Sequence, residues 1–217
     1  MEPDPLEPTP AQVEGYVASL KELDDAGYAR RQAWNQVRLA GVRAATRPTE
    51  VQRSLELVFR LGSPPAIDGE TDGVLLATSF RGPANAAFRA AANLWMPWLG
   101  KRFDADARMG ENFLSADARL PFKAIWPSHN PRPLGDGRLA AFPFDTRIAP
   151  DELDGDRQVM KLDYDRRENP SFIVRNVLDE LVEVVPGAYL GKMLVRRRPG
   201  ALYRQTGWFA LQQPGLE

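Results

Sequence analysis

The 217-residue chain has no cysteine and a single histidine, His129. Without thiols there is no disulfide, no thiolate nucleophile, no zinc–cysteine site and no iron–sulfur cluster. One imidazole excludes a multi-histidine metal centre, and a Ser-His-Asp triad would have to use His129, for which nothing in the sequence positions a serine. The G-x-S-x-G elbow, the P-loop and G-x-G-x-x-G are all missing, and no EF-hand loop is present. The expectation is therefore a protein with no metal and no cofactor.

An excess of either charge is also lacking. Lysines and arginines number 28 against 29 aspartates and glutamates, which removes the electrostatic motive for nucleic-acid binding. No run approaches the ~20 apolar residues that span a bilayer. The opening "MEPDPLEPTP" is acidic and proline-rich, unlike a secretory signal, so the expected location is the cytoplasm.

The length suits one domain with a real core and a short appendage. Residues 1–8 read as a disordered tail. Thr9-Pro10-Ala11-Gln12 then offers a capping box with proline at the first helical position, which predicts a helix near 10–24. A second is expected over 28–45, with Trp34, Val37 and Val42 as its apolar contacts. A third is expected over 48–61, with Val51, Leu55, Val58 and Phe59 on one face. Together they give an N-terminal helical segment, 9–62, packed on the remainder of the chain.

After "GSPPAIDGETDG" the period becomes strand-like. Candidate strands are 73–80, 98–104, 108–115, 118–126, 138–147, 157–165, 172–184, 187–197 and 201–211, broken by turn sequences such as "GDGR", "VPGAY" and "RRPGAL". One alanine-rich helix, "GPANAAFRAAANLWMP", interrupts them. Many short strands with hairpin turns predict a mainly β fold, an antiparallel barrel over 73–211 with a tail at 212–217. Alternation groups Met160, Leu162 and Tyr164 on one strand face, Tyr189, Gly191 and Met193 on another, and Gly207, Phe209 and Leu211 on a third. Within "VLDELVEVV", Asp179, Glu180 and Glu183 stand among strand formers. Either the barrel interior is not wholly dry or its outside is covered.

"LWMPWLGKRFDA", with its W-x-G-K-x-F core, "KLDYDRRENP", "VLDELVEVVPGAYLGKML" and the terminal "GWFALQ" resemble small lipocalin-like (calycin-type) barrels. They are similar above all to the bacterial GXWXG/DUF4334-type proteins; plastid fibrillin-like proteins share the Y-L-G turn and aromatic last strand. The resemblance implies a barrel able to hold a small lipophilic molecule.

Two chemistries are open on this reading. A carrier or sensor would line its pocket with Trp98, Phe103, Phe122, Trp126, Met160, Met193 and Trp208. A cofactor-independent cyclase or isomerase would draw its proton-handling groups from Asp163, Tyr164, Asp179, Tyr189, Lys192 and His129. These are the polar residues set among strand formers or, for His129, in the proline-rich loop "IWPSHNPRP". A third alternative is an interaction module or homodimer built on the N-terminal helices.

Overall fold

A computed structural model describes residues 8–44, 46–78, 98–171 and 173–214. The expected helix at 82–97 lies outside the described residues.

Three helices open the chain: α1 (Pro10–Lys21), α2 (Ala26–Arg43) and α3 (Pro48–Arg60). Thr9 and Gln12 close the capping box reciprocally, the Gln12 Oε1 accepting the Thr9 backbone N–H at 2.8 Å. Asp25 caps α2 through the Tyr28 N–H at 2.9 Å. Helix α3 buries Val51, Leu55 and Phe59, spaced four apart, as its sequence predicts. Helix α2 matches expectation at Trp34 and Val37, which are half-buried in apolar contact, and departs from it at Val42. Val42 is 74% exposed, and the buried positions are Gly27, Ala29 and Ala33, small residues that let the helix lie close to its neighbours.

The strands are β1 (Gly69–Thr78), β2 (Trp98–Asp104), β3 (Met109–Ser115), β4 (Arg132–Pro133), β5 (Arg138–Pro150), β6 (Gln158–Asp163), β7 (Val177–Val185), β8 (Ala188–Val195) and β9 (Arg204–Gln212). Strand β4 is a two-residue rung beside β5. The other eight form a closed antiparallel ring in which β3 pairs with β5 and β9 returns to β1. Closure leaves this up-and-down barrel no free edge.

The segment 118–126, expected as a strand, is instead a 3-10 turn (Ala116–Ala118) leading into helix α4 (Arg119–Ile125). Phe122 and Trp126, four apart, are buried together, while Leu120 is 80% exposed. That is a helical pattern. Pro121 sits in the first turn, where its missing N–H removes no intrahelical bond. Phe122 stacks on Phe142 at 5.2 Å and packs edge-on to Trp126, so α4 adds its aromatics to the core inside the barrel.

Two apolar layers result. The lumen holds one core, including Phe103, Phe144, Leu162, Leu181, Met193 and Phe209. The outer wall of β7–β9 and the helices enclose a second, with Phe59, Val182, Leu190 and Trp208. Both faces of β7 are therefore buried. Asp179 and Glu180, adjacent in sequence, enter opposite cores, and each meets a buried lysine there: Lys101 inside, Lys161 outside.

Candidate functional site

A polar group sits in the lumen among aromatic walls. Lys101 on β2 faces its cross-strand partner Asn112 on β3, and its Nζ donates to the Asn112 Oδ1 at 2.9 Å. Strand β7 lies opposite β2 in the eight-membered ring. From it Asp179 reaches across the lumen, its Oδ2 3.0 Å from the Lys101 Nζ. Tyr164, just past β6, completes the set. Its hydroxyl lies 2.5 Å from the Lys101 Nζ and donates to the Asp179 Oδ2 at 3.0 Å. The Trp98 Nε1 donates to the Asn112 Oδ1 at 3.0 Å. The ammonium also stands 5.0–5.4 Å from the ring centroids of Trp98, Phe144, Tyr164 and Phe209, within cation–π range.

Two bulges aim these groups. In β2 the register shifts between Trp98 and Gly100, and Gly100 has φ +154°. A Cβ there would stand 1.9 Å from the Thr71 carbonyl oxygen, so only glycine permits the turn that brings Trp98 and Lys101 to the same side. In β5 a second shift falls where Phe142 adopts φ +52°, a costly conformation for an aromatic residue. It directs the Phe142 carbonyl to the Asn112 Nδ2, 3.1 Å away. Bulges and strained backbone of this kind concentrate at functional sites.

Burial dominates the electrostatics. It lowers the proton affinity of Lys101, which Asp179 partly restores. Burial, and then the charge of Asp179, pushes the Tyr164 phenol well above its ordinary value. The second carboxylate oxygen, Asp179 Oδ1, is buried with no hydrogen-bond partner among the described residues. A buried charged pair rarely adds stability over an apolar replacement, so a carboxylate kept half-satisfied here marks a site able to accept a further hydrogen bond.

The residues expected from sequence thus separate into groups. Tyr164, Asp179 and Trp98 are brought together. Phe103, Met160, Met193 and Tyr189 line the same lumen, and burial raises the Tyr189 phenol to about 12. Lys192 and Trp208 lie on the opposite face, under α3. The Lys192 Nζ is 3.0 Å from Glu56 and 3.2 Å from Asp151, and stands 4.3 Å from the Phe59 ring. Trp208 meets Phe59 edge-on at 5.8 Å. Asp163 pairs with Arg147 at 2.8 Å near the surface, and the His129 imidazole stands 3.2 Å from the Ser128 hydroxyl, away from the lumen group. Lys101 and Asn112 were missed. The signal for Lys101 was its place two residues before Phe103, in the motif "LWMPWLGKRFDA".

A cavity of about 620 Å³ lies outside the barrel, between the three helices and the wall of β7–β9. Val17, Trp34, Val37, Leu55 and Leu190 are among its lining. Among the described residues no helix is long and apolar enough to cross a membrane, and no cluster of three His, Asp or Glu could hold a metal ion.

No family model matches the chain, and no curated protein matches it. Among solved structures, a protein from Thermomonospora curvata is similar at 17% identity over 95% of this chain and 98% of that one, with a TM-score of 0.42.

Proposed function

We propose that the protein binds a small lipophilic molecule, as a carrier or sensor, in the chamber between the helices and the barrel wall. The observation that carries this reading is the 620 Å³ cavity with its apolar walls. That volume falls within the roughly 300–1,000 Å³ of small-molecule sites. The barrel supplies a rigid back wall and the helices a roof. At the level of Asp179 the lumen itself is bridged by the Lys101 ion pair, which favours the outer chamber for a bulky apolar ligand.

Trp34 lines the chamber and is half-buried, so its emission reports occupancy. Native mass spectrometry of the freshly purified protein should show a non-covalent adduct, and a neutral apolar dye such as Nile red should bind and alter Trp34 emission. Ala40→Phe, which fills the chamber from α2, should abolish both. Dye binding unchanged by that substitution would overturn the proposal.

The unpartnered Asp179 Oδ1 favours a second reading, proton-transfer catalysis in the lumen on a small substrate with a hydrogen-bonding group. Tyr164 and Lys101 would donate or polarise and Asp179 would accept, as in an isomerase or cyclase without cofactor. Its test is loss of turnover in Tyr164→Phe with the fold retained; turnover unchanged by that variant would remove the assignment.

A further inference from the structure

The chamber has direction. Lys21 near the end of α1 donates to the Leu61 carbonyl just past α3, at 2.7 Å, so these two helices run side by side in the same sense. Arg30 at the start of α2 holds the Pro186 carbonyl at 3.2 Å, and α2 runs back to end where α3 begins. One end of the chamber is therefore formed by the start of α1, the end of α2 and the start of α3. There the lining includes Gln12, Arg43, Thr46, Arg47 and Glu50. At the other end Leu20, Ala33 and Ala188 pack together in a small apolar cluster with Val185. The charged lining residues, Arg43, Arg47 and Glu50, all stand at one end, and apolar groups close the other, about 12 Å apart along α1 from Gln12 to Leu20.

Among the described residues the charged lining at that end is net positive. Arg47 and Glu50 offset one another at 3.4 Å, which leaves Arg43, exposed and with no carboxylate partner among the described residues. Resting on the binding function proposed above, we infer that the ligand is a single-chain amphiphile with an anionic head. Its carboxylate meets Arg43 at the mouth, and its alkyl chain runs past Trp34 and Leu55 to Leu20 and Ala188. A neutral head would leave the guanidinium without a partner, and a cationic head would meet it as a like charge.

Decanoate, decanol and decyltrimethylammonium, below their micelle concentrations and at low salt, provide the test, read by Trp34 emission with Trp34→Phe as the blank. Decanoate should bind about fivefold more tightly than decanol, the scale of one exposed charge pair, and the ammonium most weakly. Arg43→Gln should erase the preference for decanoate while leaving decanol unchanged, and circular dichroism should confirm the fold. Equal binding of all three, still lost in Ala40→Phe, would overturn the anionic head and leave the chamber as the site. Binding that survives Ala40→Phe, or no binding by any of the three, would overturn both. A preference for decanoate that persists in Arg43→Gln would overturn the role of Arg43.

Discussion

Lys101→Met removes the cation from a pair whose side chains are only 3% and 6% exposed. The Asp179 carboxylate would then keep a single donor, the Tyr164 hydroxyl at 3.0 Å. Breaking a buried pair from one side typically costs about 3–5 kcal/mol, because the surviving charge is left without its counter-ion. Asp179→Leu should cost less, about 3 kcal/mol, because Lys101 keeps Asn112 and Tyr164 and burial already favours its neutral form. Replacing both residues leaves no charge behind, so the double variant should lie within about 2 kcal/mol of wild type. Urea unfolding at constant m-value measures all three, and the cycle should give a coupling of at least about 3 kcal/mol. pH adds a second check. With the folded-state pKa of Lys101 held below its unfolded value, the unfolded chain binds the extra proton, so this group's contribution to stability rises with pH across that interval. Losing Asp179, which raises that pKa, should widen the interval. The Asp179→Leu deficit should therefore be greatest near neutrality and shrink toward pH 10. Additive single costs, or a deficit that does not change with pH, would refute the claim that these charges hold each other across the lumen.

On the outer wall, burial and the nearby Asp151 raise Glu180 to about 7, above its unfolded value. The folded state therefore binds the proton more tightly, and stability from this group, full at low pH, is lost as pH rises through 7. Glu180→Gln keeps an acceptor for the Glu152 N–H, now 2.6 Å away. It should stabilise the protein by about 1–2 kcal/mol at pH 8 and be near neutral at pH 5, as thermal melts would show. Lys192→Met leaves the buried Asp151 with two backbone N–H donors and Arg157 at 4.0 Å, and cuts the tie from β8 to Glu56 on α3. It should cost about 2–3 kcal/mol and weaken Nile red binding, since α3 lines the chamber. Gly191→Ala places a Cβ 2.1 Å from the Phe209 ring, which lies flat over the glycine. The ring must move, at about 1–3 kcal/mol, with a loss of near-ultraviolet dichroism.

The helices and most strands were legible because each follows one period. Val51, Leu55 and Phe59 mark α3, and alternation groups Tyr189 and Met193 on one face of β8, the face that the structure turns to the lumen. The polar site was legible only by half, and the bulges explain why. Strict alternation in "WLGKRF" sets Leu99, Lys101 and Phe103 on one face and Trp98 on the other. The Gly100 bulge breaks that parity: Leu99 is 40% exposed, while Trp98 joins Lys101 around Asn112. The same happens in β5, where Ala141, Phe142 and Phe144 all reach the lumen core although their parity forbids it. Asp179 stands on regular β7 and Tyr164 directly follows regular β6, and both were singled out; Lys101 and Asn112 depend on the irregular stretches and were not. The face of Lys192 failed for a different reason. Alternation on β8 and β9 separates two faces, but both are buried, so hydropathy cannot say which one meets helices. Only the docking of α3, through Glu56 and Phe59, decides it. The chamber lies one step further from the sequence. It exists where Ala40 leaves room between α2 and the wall, a space set by the angle between elements and not by the pattern within any one of them.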